Sequence, residues 1–185
     1  MGTEQGQNIA SAMVAVRNMQ SDCGRLLRDC DKFIGKGRPS VFGSFATKDL
    51  TYSVNSDCWM AEGLFRYYDS GNQQVDGISI TLWRKGEVTE PLLIMGRIQY
   101  ATPPDATKNH SVKDVCDCWD LWWLYFEESG SESLDKVLEF GAVDSGRVEW
   151  ARVICFPLMS ISNMQILQEL MSRVIAASPT VGQIG

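Results

Sequence analysis

The sequence predicts an α+β fold: an antiparallel meander sheet of five to seven strands, flanked by a long N-terminal helix and a C-terminal helix. Three observations carry that expectation. Apolar residues at alternating spacings of three and four run from Ile9 to Phe33. Short segments of strand-like composition, punctuated by turn sequences, fill the middle of the chain. A helix-start signature at Ser162 then opens a second helical pattern.

The first seven residues are polar and are expected to fray. From Asn8, the residues Ile9, Ala12, Val16, Met19, Cys23, Leu26, Cys30 and Phe33 trace the apolar seam of a heptad repeat. Asp22, Arg25 and Asp29 are spaced to pair along the opposite surface. Gly35, Gly37 and Pro39 stop the helix. Residues 38–50 show no period and read as a packed connector.

Strands are expected over 51–60 and 63–69, then a turn at Ser70–Gln74. Val75–Arg84 alternates, with Ile78, Ile80 and Leu82 on one side, and Lys85-Gly86-Glu87 closes a hairpin. Leu92–Tyr100 returns, with Pro91 at its start, where a missing N–H matters least. Residues 101–113 are a polar loop holding the one His of the chain, His110. Val115–Glu127 is apolar on both faces of a two-residue period and reads as a central strand covered on both sides. Lys136–Gly141 and Arg147–Phe156 complete the sheet. Ser162 with Gln165 reads as a capping box, and Ile161 with Ile166 as a hydrophobic staple. The helix they open extends to about Ala177 and buries Met164, Leu167, Leu170, Met171 and Val174, with residues 178–185 frayed. Nothing in the pattern divides residues 1–185 into two domains.

Composition bounds the function classes. The 185 residues are 44% hydrophobic and 22% charged, a globular balance. The formal net charge is −6, and Lys and Arg are scattered singly, so nucleic acid and anionic membrane surfaces are not expected partners. The apolar run Ile9–Val16 lacks a basic leader and is far too short to cross a bilayer, which points to a cytoplasmic protein. The six cysteines (Cys23, Cys30, Cys58, Cys116, Cys118, Cys155) then read as reduced, small hydrophobes.

The search for chemistry is mostly negative. The sequence holds no G-x-S-x-G elbow, no phosphate-cradling Gly-Lys loop and no two-His zinc motif. Three candidates remain. Cys116-Asp-Cys118 would put two sulfurs on one strand face, close enough to share a soft metal, although two core thiols explain the pair more simply. His110 has the titration range of a general acid or base, with Cys58 or Cys116 as a nucleophile, but nothing near it in sequence orients it. In the acidic group of Asp57, Glu62, Asp76, Asp117, Asp120, Glu127 and Glu128, Asp120 interrupts an apolar segment. It therefore needs an ion-pair partner, for which Arg97 and Arg152 are the candidates, or a function.

Tryptophan is the last lead, with six in the chain. Trp is enriched where proteins bind proteins, and two helices can cover only one face of a sheet. Trp59, Trp83, Trp119, Trp123 and Trp150 are therefore the expected binding residues on the second face, with Asp120 beside them. The resulting expectation is a non-catalytic, acidic protein-binding module of the chaperone, adaptor or immunity type, working without metal or cofactor. Its partner would be another chain or a second copy of itself. The alternatives are a small-molecule sensor that dimerises through its long helix, and an enzyme without a recognisable motif.

Overall fold

The computed structural model describes residues 4–48, 61–82, 90–102, 111–128 and 134–176. The N-terminal helix α1 spans Glu4–Phe33. The strands are β1 (Thr47–Lys48), β2 (Gly63–Gly71), β3 (Gln74–Thr81), β4 (Leu92–Tyr100), β5 (Leu138–Phe140) and β6 (Val148–Pro157). Between β4 and β5 lies a short helix α2 (Asp120–Trp123), continued as a π-helical turn over Leu124–Glu128. Helix α3 (Met164–Ile175) closes the described chain. The expected strands over 51–60 and the Lys85–Glu87 turn lie outside the described residues.

All six strands pair antiparallel in the order β1-β2-β3-β4-β6-β5. The α+β class and its flanking helices stand as the sequence predicts, with one departure from a simple meander: β6 is central and β5 lies at the edge. The β2–β3 hairpin turns on Asn72 and Gln73, at φ 54° and 60°. Two successive left-handed residues give a turn whose twist matches that of the strands.

One face of the sheet carries Leu64, Tyr68, Ile78, Ile80, Leu93, Met95 and Ile154, packed under α1 and α3. Helix α3 buries Leu167, Leu170, Met171 and Val174, the i, i+3, i+4, i+7 stripe expected of a helix lying on a core. Its N-cap is Asn163, whose side chain accepts from the Ile166 N–H at 3.1 Å. The Ser162–Gln165 box is not formed. Asn caps as well as Ser, and Gln165 instead donates to Glu169 at 2.9 Å. Helix α1 docks through its second half only, burying Cys23, Leu27 and Cys30. Tyr68 secures that half by donating to Asp31 at 2.7 Å, and Arg66 pairs with the same carboxylate at 3.3 Å.

The other face carries Phe65, Tyr67, Val75, Ile94, Ile98, Tyr100, Val153 and Cys155. It is covered by residues 111–128, and here the structure corrects the expected Val115–Glu127 strand. Residues 120–128 are helical rather than pleated, and Cys116, Asp120, Leu121, Trp122, Leu124 and Tyr125 are buried. Two side-chain contacts brace the turn into the helix: Asp117 N–H donates to the Asp120 carboxylate at 2.7 Å, and Trp119 N–H donates to the Asp117 carboxylate at 2.9 Å. Leu121 N–H donates to the Tyr67 hydroxyl at 3.1 Å, fastening α2 to β2.

Close approach requires two glycines. Gly77 and Gly96 are cross-strand partners under α2. A Cβ on Gly96 would stand 2.3 Å from Leu121 Cδ2 and 2.9 Å from the Arg152 carbonyl; on Gly77 it would meet the Tyr67 ring at 2.7 Å. The sheet is thus layered on both sides, and the expectation that one face stays unshielded does not hold.

Candidate functional site

Three places gather polar or exposed apolar groups: a buried ion-pair cluster at Asp120, a cleft beside Arg97, and the free half of α1.

At the first, Asp120 is 3% exposed. Arg147 on the turn before β6 donates Nη2 to Oδ1 at 2.6 Å and Nη1 to Oδ2 at 3.0 Å. Tyr100 on β4 donates its hydroxyl to Oδ2 at 2.5 Å, and Asp117 N–H adds a fourth donor. Arg147 also donates to the Val115 carbonyl at 2.6 Å and pairs through Nε with Asp144. Asp120 is thus in an ion pair, with Arg147 rather than Arg97 or Arg152. Its carboxylate is the main reason the guanidinium is held more firmly protonated than usual. Burial, then the neighbouring Cys116 and Asp120, pushes the Tyr100 phenol far up, so it stays a donor. Burial likewise raises the Cys116 thiol well above its ordinary range. A neutral thiol of this kind is a poor nucleophile.

Trp123 lines the shallow opening over this cluster, with Asp114 and Asp117. Trp119 is half-buried on the same segment, its ring edge-on to Trp122 with centroids 5.5 Å apart. Trp122 in turn stacks on Phe126 at 5.2 Å. Trp150 is half-buried and pairs with Gln99, whose neighbours Ile98 and Tyr100 point to the α2 side. Alternation therefore sends Trp150 to the opposite face from Trp119 and Trp123. Trp59, Trp83, Asp57, Cys58 and His110 lie outside the described residues. Cys116 is buried and Cys118 half-buried in the turn before α2 rather than on a strand. Among the described residues, no three His, Cys, Asp or Glu side chains are placed to hold a metal ion.

The second place is a cleft of about 1010 Å³ between the end of α1, α3 and the sheet. Its polar wall holds Lys32, Lys36, Arg38, Arg97, Ser70 and Asp76, and its apolar wall holds Phe33, Leu167, Met171 and Ile175. Asp76 is 3% exposed. It accepts from Arg97 Nε at 2.6 Å and Nη2 at 3.0 Å, and from Ser70 at 2.7 Å. Arg38 stands 3.5 Å away.

The third is α1 itself. Ile9, Met13 and Val14 are 59%, 64% and 57% exposed. The stripe leads into an apolar groove of about 580 Å³ lined by Met19, Leu26, Leu158, Met159, Ile161 and Met164. Met159 is 82% exposed. Of the heptad seam read from the sequence, Cys23 and Cys30 are buried and Met19 and Leu26 pack against the core, while Ile9 and Ala12 lie in solvent, Phe33 is exposed, and Leu27 outside the seam is buried.

Comparison with family models, curated proteins and solved structures finds no match to the chain. Among the described residues no helix is long and apolar enough to cross a membrane.

Proposed function

We propose that the chain is a non-catalytic module that binds another protein chain, and that the recognition surface is the free half of α1 with the methionine-lined groove beside it. The observation that carries this reading is the exposure of Ile9, Met13 and Val14 on a helix that leaves the body of the protein. Residues 4–21 carry one anion, Glu4, and one cation, Arg17. An isolated helix of that length is marginal in water, and a stripe of large apolar side chains without a charged surround favours a cover. Thioether side chains such as Met13, Met19, Met159 and Met164 adapt to irregular partner surfaces. The cluster at Asp120 supports a structural rather than a catalytic role, because its donors and acceptors saturate one another.

The proposal moves the binding surface from the aromatic sheet face to the helix. The first partner to test is a second copy, since a half-exposed heptad seam suits helix pairing. Light scattering of the untagged protein should give a species heavier than the 20.7 kDa chain, or a stoichiometric copurifying partner. The double variant Ile9→Glu, Met13→Glu should release it and leave a folded monomer whose melting temperature no longer depends on concentration or partner. A monomer that copurifies with nothing, and that the double variant leaves unaltered, would sink the reading.

A further inference from the structure

We propose that the cleft between α1, α3 and the sheet binds an amphipathic organic anion: one carboxylate or sulfate-like head joined to an extended apolar body. This site shares only Met164 with the groove of the protein-binding surface. The argument begins from charge. The chain is acidic, with a net charge of −6, yet Lys32, Lys36, Arg38 and Arg97 line the cleft against a single carboxylate, Asp76.

Each of these cations has a defined degree of commitment. Arg97 offers two of its donors to Asp76 and neutralises it. Arg38 donates Nη2 to the Ile34 carbonyl and Nε to the Gly35 carbonyl, both at 2.9 Å, and Nη1 to the Asp69 carbonyl and the Ser70 hydroxyl, with Nη2 3.5 Å from Asp76. It thereby covers the negative end of the α1 backbone, which would otherwise repel an anion at the mouth of the cleft. Lys32 leans outward onto Asp29 at 3.0 Å. Lys36 forms no ion pair among the described residues, and the left-handed backbone at Lys36 and Gly37, φ 50° and 82°, sets it on the rim.

The α3 side of the cleft contributes Leu167, Met171 and Ile175 together with the polar Gln168 and Ser172, and Phe33 of α1 adds further apolar surface. A volume of about 1010 Å³ is at the upper end of what small-molecule sites enclose. A charged head against Lys36, which has no ion pair among the described residues, and an acyl-like body along Leu167, Met171 and Ile175, would satisfy the charged and the apolar lining together. Low-dielectric walls strengthen the attraction between the head and the cations.

The test uses the whole chain and the fluorescent probe anilinonaphthalene sulfonate, displaced by decanoate, by decyl sulfate or by the uncharged decanamide. Saturable displacement at one site by either anion is expected, with decanamide at least about tenfold weaker. Lys36→Asp keeps a residue tolerant of the left-handed backbone. It should weaken both anions about tenfold and leave decanamide and the melting temperature unchanged. Ile175→Glu, at a position 37% exposed, should weaken all three. Equal competition by decanamide, indifference to Lys36→Asp, or no saturable displacement would each overturn the proposal.

Discussion

Removing Arg147 should be more damaging than neutralising Asp120, and the size of the difference follows from burial. The Asp120 side chain is 4% exposed and that of Arg147 31%. In Arg147→Leu, Asp120 loses the one cationic partner it has among the described residues and keeps the Tyr100 hydroxyl and the Asp117 N–H. Leaving a buried charge uncompensated costs about 3–5 kcal/mol. In Asp120→Asn, Arg147 keeps Asp144 and the Val115 carbonyl and can draw water to its exposed part. That loss is of hydrogen bonds to a charged group, about 1.5–3 kcal/mol. The double variant should cost less than the two single losses together by roughly 1 kcal/mol or more, because each single variant already breaks the shared contact. Urea titrations followed by tryptophan fluorescence would measure all three. A cost below about 1 kcal/mol for Arg147→Leu, or strict additivity, would refute the view that this pair is one buried unit.

Other outcomes follow from single features. Gly96→Ala should destabilise by about 1–3 kcal/mol in the same titration, because its Cβ would strike both Leu121 and the Arg152 carbonyl. Asn163→Ala should cost about 1 kcal/mol by removing the α3 cap. Stability should also fall at alkaline pH. Burial raises the thiols of Cys30 and Cys155 to about 12 and pushes the phenols of Tyr67, Tyr68 and Tyr100 up as well. A raised folded-state value means the full contribution is present below the unfolded thiol value of about 8.5 and is lost as pH climbs toward 12. The urea midpoint should hold steady from pH 7 to about 8 and decline above that, and Cys30→Ala should flatten the early part of the decline. A midpoint that rises with pH would contradict this.

The fold was legible wherever one period dominated. β4 stands at Leu92–Tyr100 as read, β6 and α3 lie within two residues or so of their expected limits, and β3 starts one residue early while its expected end at Arg84 lies outside the described residues; alternation and the helical stripe were both unambiguous there. The failure at 115–127 has a physical cause. Trp119, Trp122, Trp123, Tyr125 and Phe126 are large enough to reach apolar neighbours from any side of a helix, so hydrophobicity alone shows no face there. A local signal was present in Asp117-x-x-Asp120, whose carboxylates serve the N–H groups of a starting turn. The glycine pair was less legible still. Gly77 and Gly96 lie nineteen positions apart, and only the β3–β4 register brings them under Leu121.

Composition argued for surplus apolar surface; Trp59 and Trp83 of the expected binding set lie outside the described residues, and among those described, exposed apolar side chains gather on α1. The reason lies in counting covers. Two long helices leave one sheet face to be explained, and the tryptophan-rich sequence marks it as open. The chain instead folds residues 111–128 over that face, so the rings of Trp119, Trp122 and Phe126 meet one another. What then lacks a cover is the part of α1 that outruns the sheet. Residues 4–18 extend over about 20 Å at about 1.5 Å per residue, while the buried α1 positions begin at Cys23. Amide exchange separates the two situations. In a monomer, residues 5–18 should exchange as a fraying helix, many orders of magnitude faster than Leu27–Cys30. If a partner covers the stripe, protection should extend back to Ile9 and vanish in the Ile9→Glu, Met13→Glu variant. Strong protection of Ile9 that the double variant does not remove would mean that the free half of α1 is stable by itself, and would take away the main reason to give it a partner.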